Sequence, residues 1–459
     1  MVLAALSCRG GPGAPPPDLP AVGGQVSLLR FPRAGGPVQA YHPDSLSAPY
    51  WVTTGKVPAI RRLLGADLDE RIAWAVDTRD TLIAVDLESR AVRRQLADAT
   101  AGVVGPDGAL YVTDAKHRVK RVLRRTPADF QDSLPGAPVA LFGAANDHLV
   151  VVTGGTPPQL ITSNAEQTLH TTILPPGEVA ATFWGDQIAV AADTAVVLYE
   201  TVGGSRAITP IRTRNHARKV VFSPSGHRLY VSGDDAALSV YDRFSLREVT
   251  RIELPAPPRA LRADASGRWM LIRPPAGDSV WVVDLATNRL AATVRGSWGP
   301  DLPLIAGAAT MVTRRGNDIA TLDLRQAPPH LIASLEGGGD DLWMVAAWVP
   351  RERARAAVLA AESATVAQDS ALVPDSVRAG GDSTGVFLQV STSQNPDWAA
   401  QLARSLKEAG FPSRVLQPRG PDDGYRVVVG PYPNRDVAEE NGRKLGRPFF
   451  ILRESPQRP

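Results

Sequence analysis

The sequence predicts two folds in one chain of 459 residues, an all-β repeat region and a short α+β domain after it. Apolar residues alternate over short runs from about residue 50 to residue 345, which is typical of strands. Similar segments recur about every 40 residues within that region. Only the stretch after residue 385 combines strand and helix patterns. A chain of this length is also expected to divide into two or more domains.

The repeat is clearest between residues 218–254 and residues 259–294. Each segment carries a Ser-Gly pair, and glycine supplies the positive φ that a tight hairpin needs. Each also ends a strand on an aspartate, which can accept hydrogen bonds from the following turn. The matching positions are Ser225-Gly226 with Asp242, Ser266-Gly267 with Asp284, and Asp323 in a third segment.

One four-stranded sheet cannot bury both of its faces, so the repeats must stack in a ring. Weaker copies of the repeat occupy residues 72–96, 103–125, 149–174, 178–200 and 304–326. The sequence therefore predicts a β-propeller of about seven four-stranded blades within residues 25–350. Residues 25–50 and 340–350 fit no repeat, and they either pair to close the ring or form an eighth blade.

The repeats resemble WD40 and YVTN-type propellers in length, hairpin glycine and strand-end aspartate. The Gly-His and Trp-Asp signatures of WD40 repeats are absent. The resemblance implies the fold and leaves the function open, because propellers serve as enzymes, sensors and binding platforms. We find no nucleophile elbow, phosphate loop or metal-binding motif, and the histidines are scattered. We therefore expect no catalytic residue, no cofactor and no metal.

Composition excludes other classes of protein. Apolar residues make up 44% and charged residues 21% of the chain, which argues against disorder of the whole chain. The net charge is +3 and no basic stripe alternates with aromatic residues, so we expect no nucleic-acid partner. Cys8 is the single cysteine, which excludes an intrachain disulfide and a cysteine-based metal site.

Two segments flank the propeller. Residues 351–384 contain no aromatic residue and are rich in Ala, Ser, Asp and Gly, which predicts a linker. Residues 1–24 hold a short apolar run, Cys8 and a Pro/Gly-rich spacer. This start resembles the end of a bacterial lipoprotein signal peptide, which implies lipidation of Cys8; the alternative is an incidental thiol in a frayed N-terminus. We expect no membrane contact beyond such a lipid anchor, since no later apolar run could span a bilayer.

Residues 385–454 show the pattern strand, helix, strand, strand, helix, strand, before a tail at residues 455–459. The first helix is expected to begin at Asn395-Pro396 and end at Gly410, and Asn434 is expected to cap the second. This order predicts two helices on one face of a four-stranded antiparallel sheet, whose other face is open. The four strands read VFLQVS, SRVLQ, YRVVVG and PFFILR.

The segment VFLQVSTSQNPDWAAQLARSLKEAGFPSRV, followed by YRVVVGPYPNRDVAEENGRKL, resembles the SPOR domain of bacteria. The resemblance covers residues 386–453. It implies a non-catalytic module that binds peptidoglycan glycan strands stripped of their stem peptides, in the periplasm or cell envelope. Asp422-Asp423 are not expected to cleave glycan, because adjacent residues in a turn point apart.

Strand alternation assigns Leu388 and Val390 to the helices, and Phe387, Gln389 and Ser391 to the open face. On the resemblance, Gln389 and Arg426 match glycan-contacting positions, and Thr392 matches a position often held by Ser. Phe387 is expected to supply an apolar contact with sugar, because Gly424 stands where some members carry Trp. Tyr425 is a further candidate, although alternation turns it toward the helices unless the strand twists.

These patterns lead to two functional hypotheses. The first is a lipid-anchored, non-catalytic envelope protein in which a propeller scaffold for protein partners is tethered to a glycan-binding module, with a role in cell division or wall remodelling. The second is a propeller enzyme, such as a hydrolase or lactonase, that the module delivers to the wall. A ring of carboxylates in the central channel would favour the second.

Overall fold

The computed structural model describes residues 26–67, 71–106, 108–123, 126–131, 133–144, 148–164, 169–202, 205–348, 386–393, 396–408, 410–417, 425–434, 437–438, 441–442, 445 and 449–453. The first 24 residues with Cys8, the linker at 351–384, Asn395 and the turn with Asp422, Asp423 and Gly424 lie outside this set. The described part contains nine four-stranded antiparallel sheets, eight of them before residue 349.

Seven blades are each built from consecutive strands. Blade 1 contains β4 Ile60–Asp67, β5 Ile72–Asp77, β6 Leu82–Asp86 and β7 Val92–Leu96. Blade 2 contains β8 Ala101–Val104, β9 Leu110–Thr113, β10 Val119–Leu123 and β11 Thr126–Gln131. Blade 3 contains β12 Pro138–Ala144, β13 His148–Thr153, β14 Gln159–Ser163 and β15 Leu169–Ile173. In blade 4, β17 Gln187–Glu200 pairs with β16 Glu178–Ala181, β18 Arg206–Ala207 and β19 Ile211–Ala217.

The remaining three of these seven blades follow the same order. Blade 5 contains β20 Lys219–Phe222, β21 Arg228–Ser232, β22 Ala237–Asp242 and β23 Glu248–Glu253. Blade 6 contains β24 Ala260–Ala263, β25 Trp269–Arg273, β26 Ser279–Asp284 and β27 Arg289–Arg295. Blade 7 contains β28 Leu304–Ala306, β29 Thr310–Arg315, β30 Asp318–Asp323 and β31 His330–Gly338.

Blade 8 joins strands from the two ends of the repeat region. Its order is β3-β2-β1-β32, with β1 Ser27–Phe31, β2 Gln39–Tyr41, β3 Trp51–Val52 and β32 Leu342–Ala346. In the antiparallel register of β1 with β32, Leu29 pairs with Met344. The propeller class is confirmed, and the described residues form eight blades where the repeats predicted about seven. The strands from residues 25–50 and 340–350 pair with each other. This pairing closes the ring and at the same time forms the eighth blade, so both alternatives hold.

Apolar clusters between neighbouring blades hold the ring together. Eight such clusters exist in the described residues, and each draws its buried side chains from two consecutive blades. Trp74 of blade 1 and Val112 of blade 2 share one, and Leu271 of blade 6 and Met311 of blade 7 share another. The cluster of blades 8 and 1 completes the circle. Burial on both faces of every sheet explains why the blades stack rather than stand alone.

The turn chemistry of the repeat agrees with the sequence. Gly226 and Gly267 have φ of 73° and 71°, in the left-handed region that favours glycine. Asp284 Oδ1 accepts a hydrogen bond from the amide of Ala286 at 2.9 Å, and Asp323 Oδ1 accepts one from the amide of Arg325 at 2.9 Å. In blades 6 and 7 the strand-end aspartate therefore organises the turn that follows the third strand.

A buried polar cluster lies at the seam between blades 7 and 8. Arg314 Nη1 and Nη2 donate to Asp301 Oδ1 and Oδ2 at 2.9 and 2.7 Å. Asp301 also accepts from the amide of Trp343 at 2.8 Å, and Arg314 Nη2 donates to the carbonyl of Asp341 at 2.7 Å. Arg30 Nε donates to Asp341 Oδ2 at 2.6 Å. The cluster therefore links β1, β29 and the start of β32.

The ninth sheet belongs to the C-terminal domain and has the order β34-β35-β33-β36. Its strands are β33 Val386–Ser393, β34 Ser413–Leu416, β35 Tyr425–Tyr432 and β36 Phe450–Arg453, and helix α1 spans Pro396–Glu408. Past α1, Gly410 has a φ of 86° and the amide of Phe411 donates to the carbonyl of Leu406. This geometry ends the helix where the sequence predicted.

Candidate functional site

The sheet of the C-terminal domain has two chemically different faces. Leu388 and Val390 of β33 pack with Val427 and Val429 of β35 in one apolar cluster. The α1 residues in the same cluster are Ala399, Leu402, Ala403 and Leu406. The inward positions predicted for β33 and β35 are therefore the ones that meet the helix. The residues between them, including Phe387, Gln389, Arg426 and Val428, belong to the opposite face, which we call the open face.

The second strand adds an arginine to the open face. Ser413 Oγ donates to the carbonyl of Ala403 in α1 at 2.5 Å, and Val415 packs against the helix-side cluster. Arg414 lies between these two residues and therefore faces the other way. Its Cζ lies 4.5 Å from the centre of the Phe387 ring, and its side chain is exposed. Arg414 was not among the residues singled out from the sequence, although the alternation of SRVLQ places it on this face.

Backbone register brings three polar residues of the open face together. Val428 pairs with Gln389 on one side and with Arg414 on the other. Gln389 and Arg414 are thus two strands apart, which corresponds to roughly 10 Å. Arg426 precedes Val428 by two residues and is a diagonal neighbour of both. Gln389 and Arg426 are half-buried.

A bulge changes the strand alternation after Gln389. The register with β35 shifts between Gln389 and Ser391, so Ser391 pairs with the inward-facing Val427 and Thr392 pairs with Arg426. Strict alternation, which assigned Ser391 to the open face, does not continue through a bulge. The backbone of Thr392 is instead the cross-strand neighbour of Arg426. The roles of Gln389, Thr392 and Arg426 in binding stay predictions.

The two aromatic residues are placed differently from each other. Phe387 is 5% exposed and lies beneath Arg414, so its ring does not form a free platform for a sugar. Tyr425 packs against the helix-side cluster, as alternation predicted. Their contacts with glycan also stay predictions. The open face thus presents mainly polar groups above a buried apolar layer of Phe387 and Val428, the latter 0% exposed.

Glycine is required where β35 passes Phe387. Gly430 has a φ of 128°, and a Cβ at this position would lie 3.0 Å from the carbonyl oxygen of Val386 and 3.2 Å from Cδ1 of Phe387. The strand continues past Gly430-Pro431 to Tyr432, whose phenol has its pKa raised by burial. Beyond it, Asn434 Oδ1 accepts from the amide of Val437 at 2.9 Å, which is the expected cap. Most of the predicted second helix lies outside the described residues.

The innermost strands, which are the first strand of each of blades 1 to 7 and β32 of blade 8, carry few carboxylates. Among the described residues, their carboxylates are Asp67 at the end of β4 and Glu178 at the start of β16. Glu178 Oε2 accepts from Lys219 Nζ of β20 at 2.5 Å. The part of the chain that the structure describes contains no group of three His, Cys, Asp or Glu residues that could hold a metal. In the same residues, no helix is long and apolar enough to cross a membrane.

Comparison with known families defines the C-terminal domain. Residues 382–451 match the family model described as SPOR domain, which confirms the resemblance seen in the sequence. SPOR domains bind peptidoglycan, so the match associates this chain with the cell envelope. No curated protein sequence matches the chain.

Solved structures resemble the propeller in fold. The crystal structure of Citrobacter koseri AztD has 11% identity and a TM-score of 0.50, and the match covers 70% of this chain and 97% of that one. Apo AztD from Citrobacter koseri has 12% identity and a TM-score of 0.49, with coverage of 70% and 98%. Dihydro-heme d1 dehydrogenase NirN in complex with DHE has 13% identity and a TM-score of 0.46, with coverage of 72% and 76%. At these identities the likeness concerns the propeller fold alone.

Proposed function

We propose that this chain is a non-catalytic envelope protein that binds peptidoglycan glycan strands, denuded of stem peptides, through the open face of its SPOR domain. The observation that carries the proposal is the grouping of Gln389, Arg426 and Arg414 around Val428. An amide offers both donors and acceptors to sugar hydroxyl and N-acetyl groups, and a guanidinium offers a planar fork of donors. The bound glycan would concentrate the propeller at sites of cell division or wall remodelling.

The test is a pull-down of the full chain on isolated sacculi. Sacculi treated with an amidase, which removes stem peptides, should retain the protein, and untreated sacculi should retain much less. Digestion of the treated sacculi with a glycosidase should release it. Equal retention on treated and untreated sacculi would contradict recognition of denuded strands.

The propeller is proposed to be a scaffold for protein partners. Three large apolar side chains, Phe183, Val202 and Phe244, are exposed by 38%, 74% and 67%. Phe183 lies three residues before Asp186, whose carboxylate accepts from Arg243 Nη2, and Arg243 precedes Phe244. The amide of Thr201, next to Val202, donates to the carbonyl of Asp186 at 3.1 Å. Exposed apolar residues grouped in this way are typical of surfaces that bind proteins.

A photo-reactive phenylalanine analogue at position 244 tests the scaffold. In cells it should cross-link to a defined partner, whereas the same analogue at Leu331, which is 43% exposed on blade 7, should not. Identical cross-linking from both positions would indicate random collision. The second hypothesis, a propeller hydrolase, is less well supported, because Asp67 and Glu178 do not form a carboxylate ring.

We also propose that Cys8 carries a lipid and anchors the protein on the periplasmic side of a membrane. The support is the resemblance of residues 1–24 to a lipoprotein signal. The Cys8→Ser variant should move from the membrane fraction to the soluble fraction and should not incorporate labelled palmitate. Unchanged fractionation and labelling of the variant would refute the anchor.

A further inference from the structure

The position of Arg414 suggests a specific role in ligand choice. The guanidinium lies 4.5 Å from the centre of the Phe387 ring, within the range of a cation–π contact. Phe387 is itself fixed, because it is 5% exposed between Val386 and Leu388 of the core. The ring therefore limits the orientations of an otherwise flexible side chain. A preorganised guanidinium loses less conformational entropy when it binds an anion.

The charge of the sheet points to an anionic ligand. Strands β33, β34 and β35, over the residues that the structure describes, contain Arg414 and Arg426 and neither Asp nor Glu. On the open face, Arg414 is the exposed arginine, whereas Arg426 is half-buried. A surface of this composition attracts carboxylates and repels cations.

Denuded glycan carries such a carboxylate. In intact peptidoglycan the lactyl group of muramic acid is joined to the stem peptide by an amide bond, which is neutral. Hydrolysis of that amide by a separate amidase consumes water and releases the peptide amine. It leaves a free carboxylate on the lactyl group of the sugar, at the position where the intact strand has a neutral amide.

We propose that Arg414 binds the free lactyl carboxylate of muramic acid and thereby distinguishes denuded strands from strands with stem peptides. This inference rests on the proposed function, since it assumes that glycan occupies the open face. Gln389 and Arg426 contact the neutral groups of the sugar, and Arg414, two strands from Gln389, binds the charged group. A carboxylate can accept two parallel hydrogen bonds from a guanidinium, whereas an amide cannot accept both.

The experiment compares two forms of one ligand. Amidase-treated, solubilised glycan strands are used either unchanged or after carbodiimide coupling with ammonia, which converts each carboxylate into a neutral amide. Affinities of the full chain are measured at low salt. The wild-type protein should bind the unchanged strands about tenfold more tightly, as expected for a hydrogen bond to a charged group.

The variants identify the residue responsible. Arg414→Ala and Arg414→Gln should bind both ligands equally, at the level of the wild type with amidated strands. Arg404→Ala, which removes an exposed arginine from α1, should retain the tenfold preference. Circular dichroism checks that each variant is folded, and the glutamine variant keeps most of the side chain over Phe387.

The outcomes separate the two proposals. Tight binding of both ligands by the wild type, or a preference that persists without Arg414, overturns the role of Arg414 and leaves the glycan-binding function intact. Failure of the wild type to bind either ligand overturns the proposed function, and the role of Arg414 with it. A preference that weakens as salt is added supports the carboxylate contact, because screening reduces attraction between exposed charges.

Discussion

Asp301 and Arg314 form a two-pronged ion pair, with oxygen–nitrogen distances of 2.9 and 2.7 Å, at the seam where the propeller ring closes. The side chains are 8% and 11% exposed. Removing one member of a buried pair leaves the other charge without compensation, which is far more costly than losing an exposed pair. The seam therefore depends on both residues.

Asp301→Asn should lower the free energy of unfolding of the propeller by about 3 kcal/mol, because Arg314 would stay buried without its carboxylate. The measurement is denaturant unfolding followed by tryptophan fluorescence. Asp234→Asn is the matched control, since the Arg218–Asp234 pair is half exposed on both sides and its loss should not be measurable. Equal effects of the two substitutions would contradict a special role for the seam.

The contribution of this pair should depend on pH. Burial on its own would raise the pKa of Asp301, but the hydrogen bonds and positive charge of Arg314 outweigh burial and lower it. With a folded-state pKa below the unfolded value of about 4, the pair contributes fully above about pH 4 and less as the pH falls through the lowered pKa. The difference in stability between wild type and Asp301→Asn should therefore be constant from pH 5 to 7 and should shrink in more acidic solution.

Asp284→Ala tests the repeated turn. Its carboxylate accepts from the amide of Ala286 at 2.9 Å and from Arg268 at 2.8 Å, so the substitution should cost about 1–3 kcal/mol. Asp323→Ala, in the next blade, should have a similar effect. The double variant should lose the sum of the two within about 0.5 kcal/mol, because the turns share no partner. Strong non-additivity would show that the turns are coupled through the ring.

Leu388→Ala tests whether the C-terminal domain unfolds independently of the propeller. Leu388 is fully buried in the helix-side cluster, and truncation should cost about 2–5 kcal/mol. We expect the unfolding transition of the C-terminal domain alone to shift in calorimetry. A common shift of both transitions would mean that the two regions unfold as one unit.

Arg426→Ala and Gln389→Ala should weaken retention on denuded sacculi, by about tenfold and about fivefold, because they remove a charged and a neutral hydrogen-bond donor. Both residues are half-buried, so thermal unfolding must be measured beside binding. Arg404→Ala should bind as the wild type does. Loss of stability without loss of binding would assign these residues to the fold rather than to the ligand.

Local patterns predicted much of this molecule. Period and alternation located seven blades, and the inward positions Leu388, Val390, Val427 and Val429 are those that meet the helix. The hairpin glycines and strand-end aspartates could be found because each acts on its own turn. Such features depend on neighbouring residues, which a sequence displays directly.

Features that depend on distant pairing were left open or missed. The sequence left open whether residues 25–50 and 340–350 close the ring or form an eighth blade, because neither β1 nor β32 alone shows the full repeat. The bulge after Gln389 follows from the register with β35, so alternation within β33 alone could not reveal it. The contact between Arg414 and the Phe387 ring joins β34 and β33, which are separated in the sequence by helix α1. In each case the deciding contact lies outside the local pattern.

Because Leu29 of β1 pairs with Met344 of β32, blade 8 is the last blade to be completed during synthesis. The first three strands of blade 8 leave the ribosome before any other blade, yet their partner is made roughly 300 residues later. Contacts of such long range are slow to form, and the unpaired edge of β1 stays open to wrong partners in the meantime. A chain that stopped before Leu342 would keep seven complete sheets but lose the strand that shuts the ring.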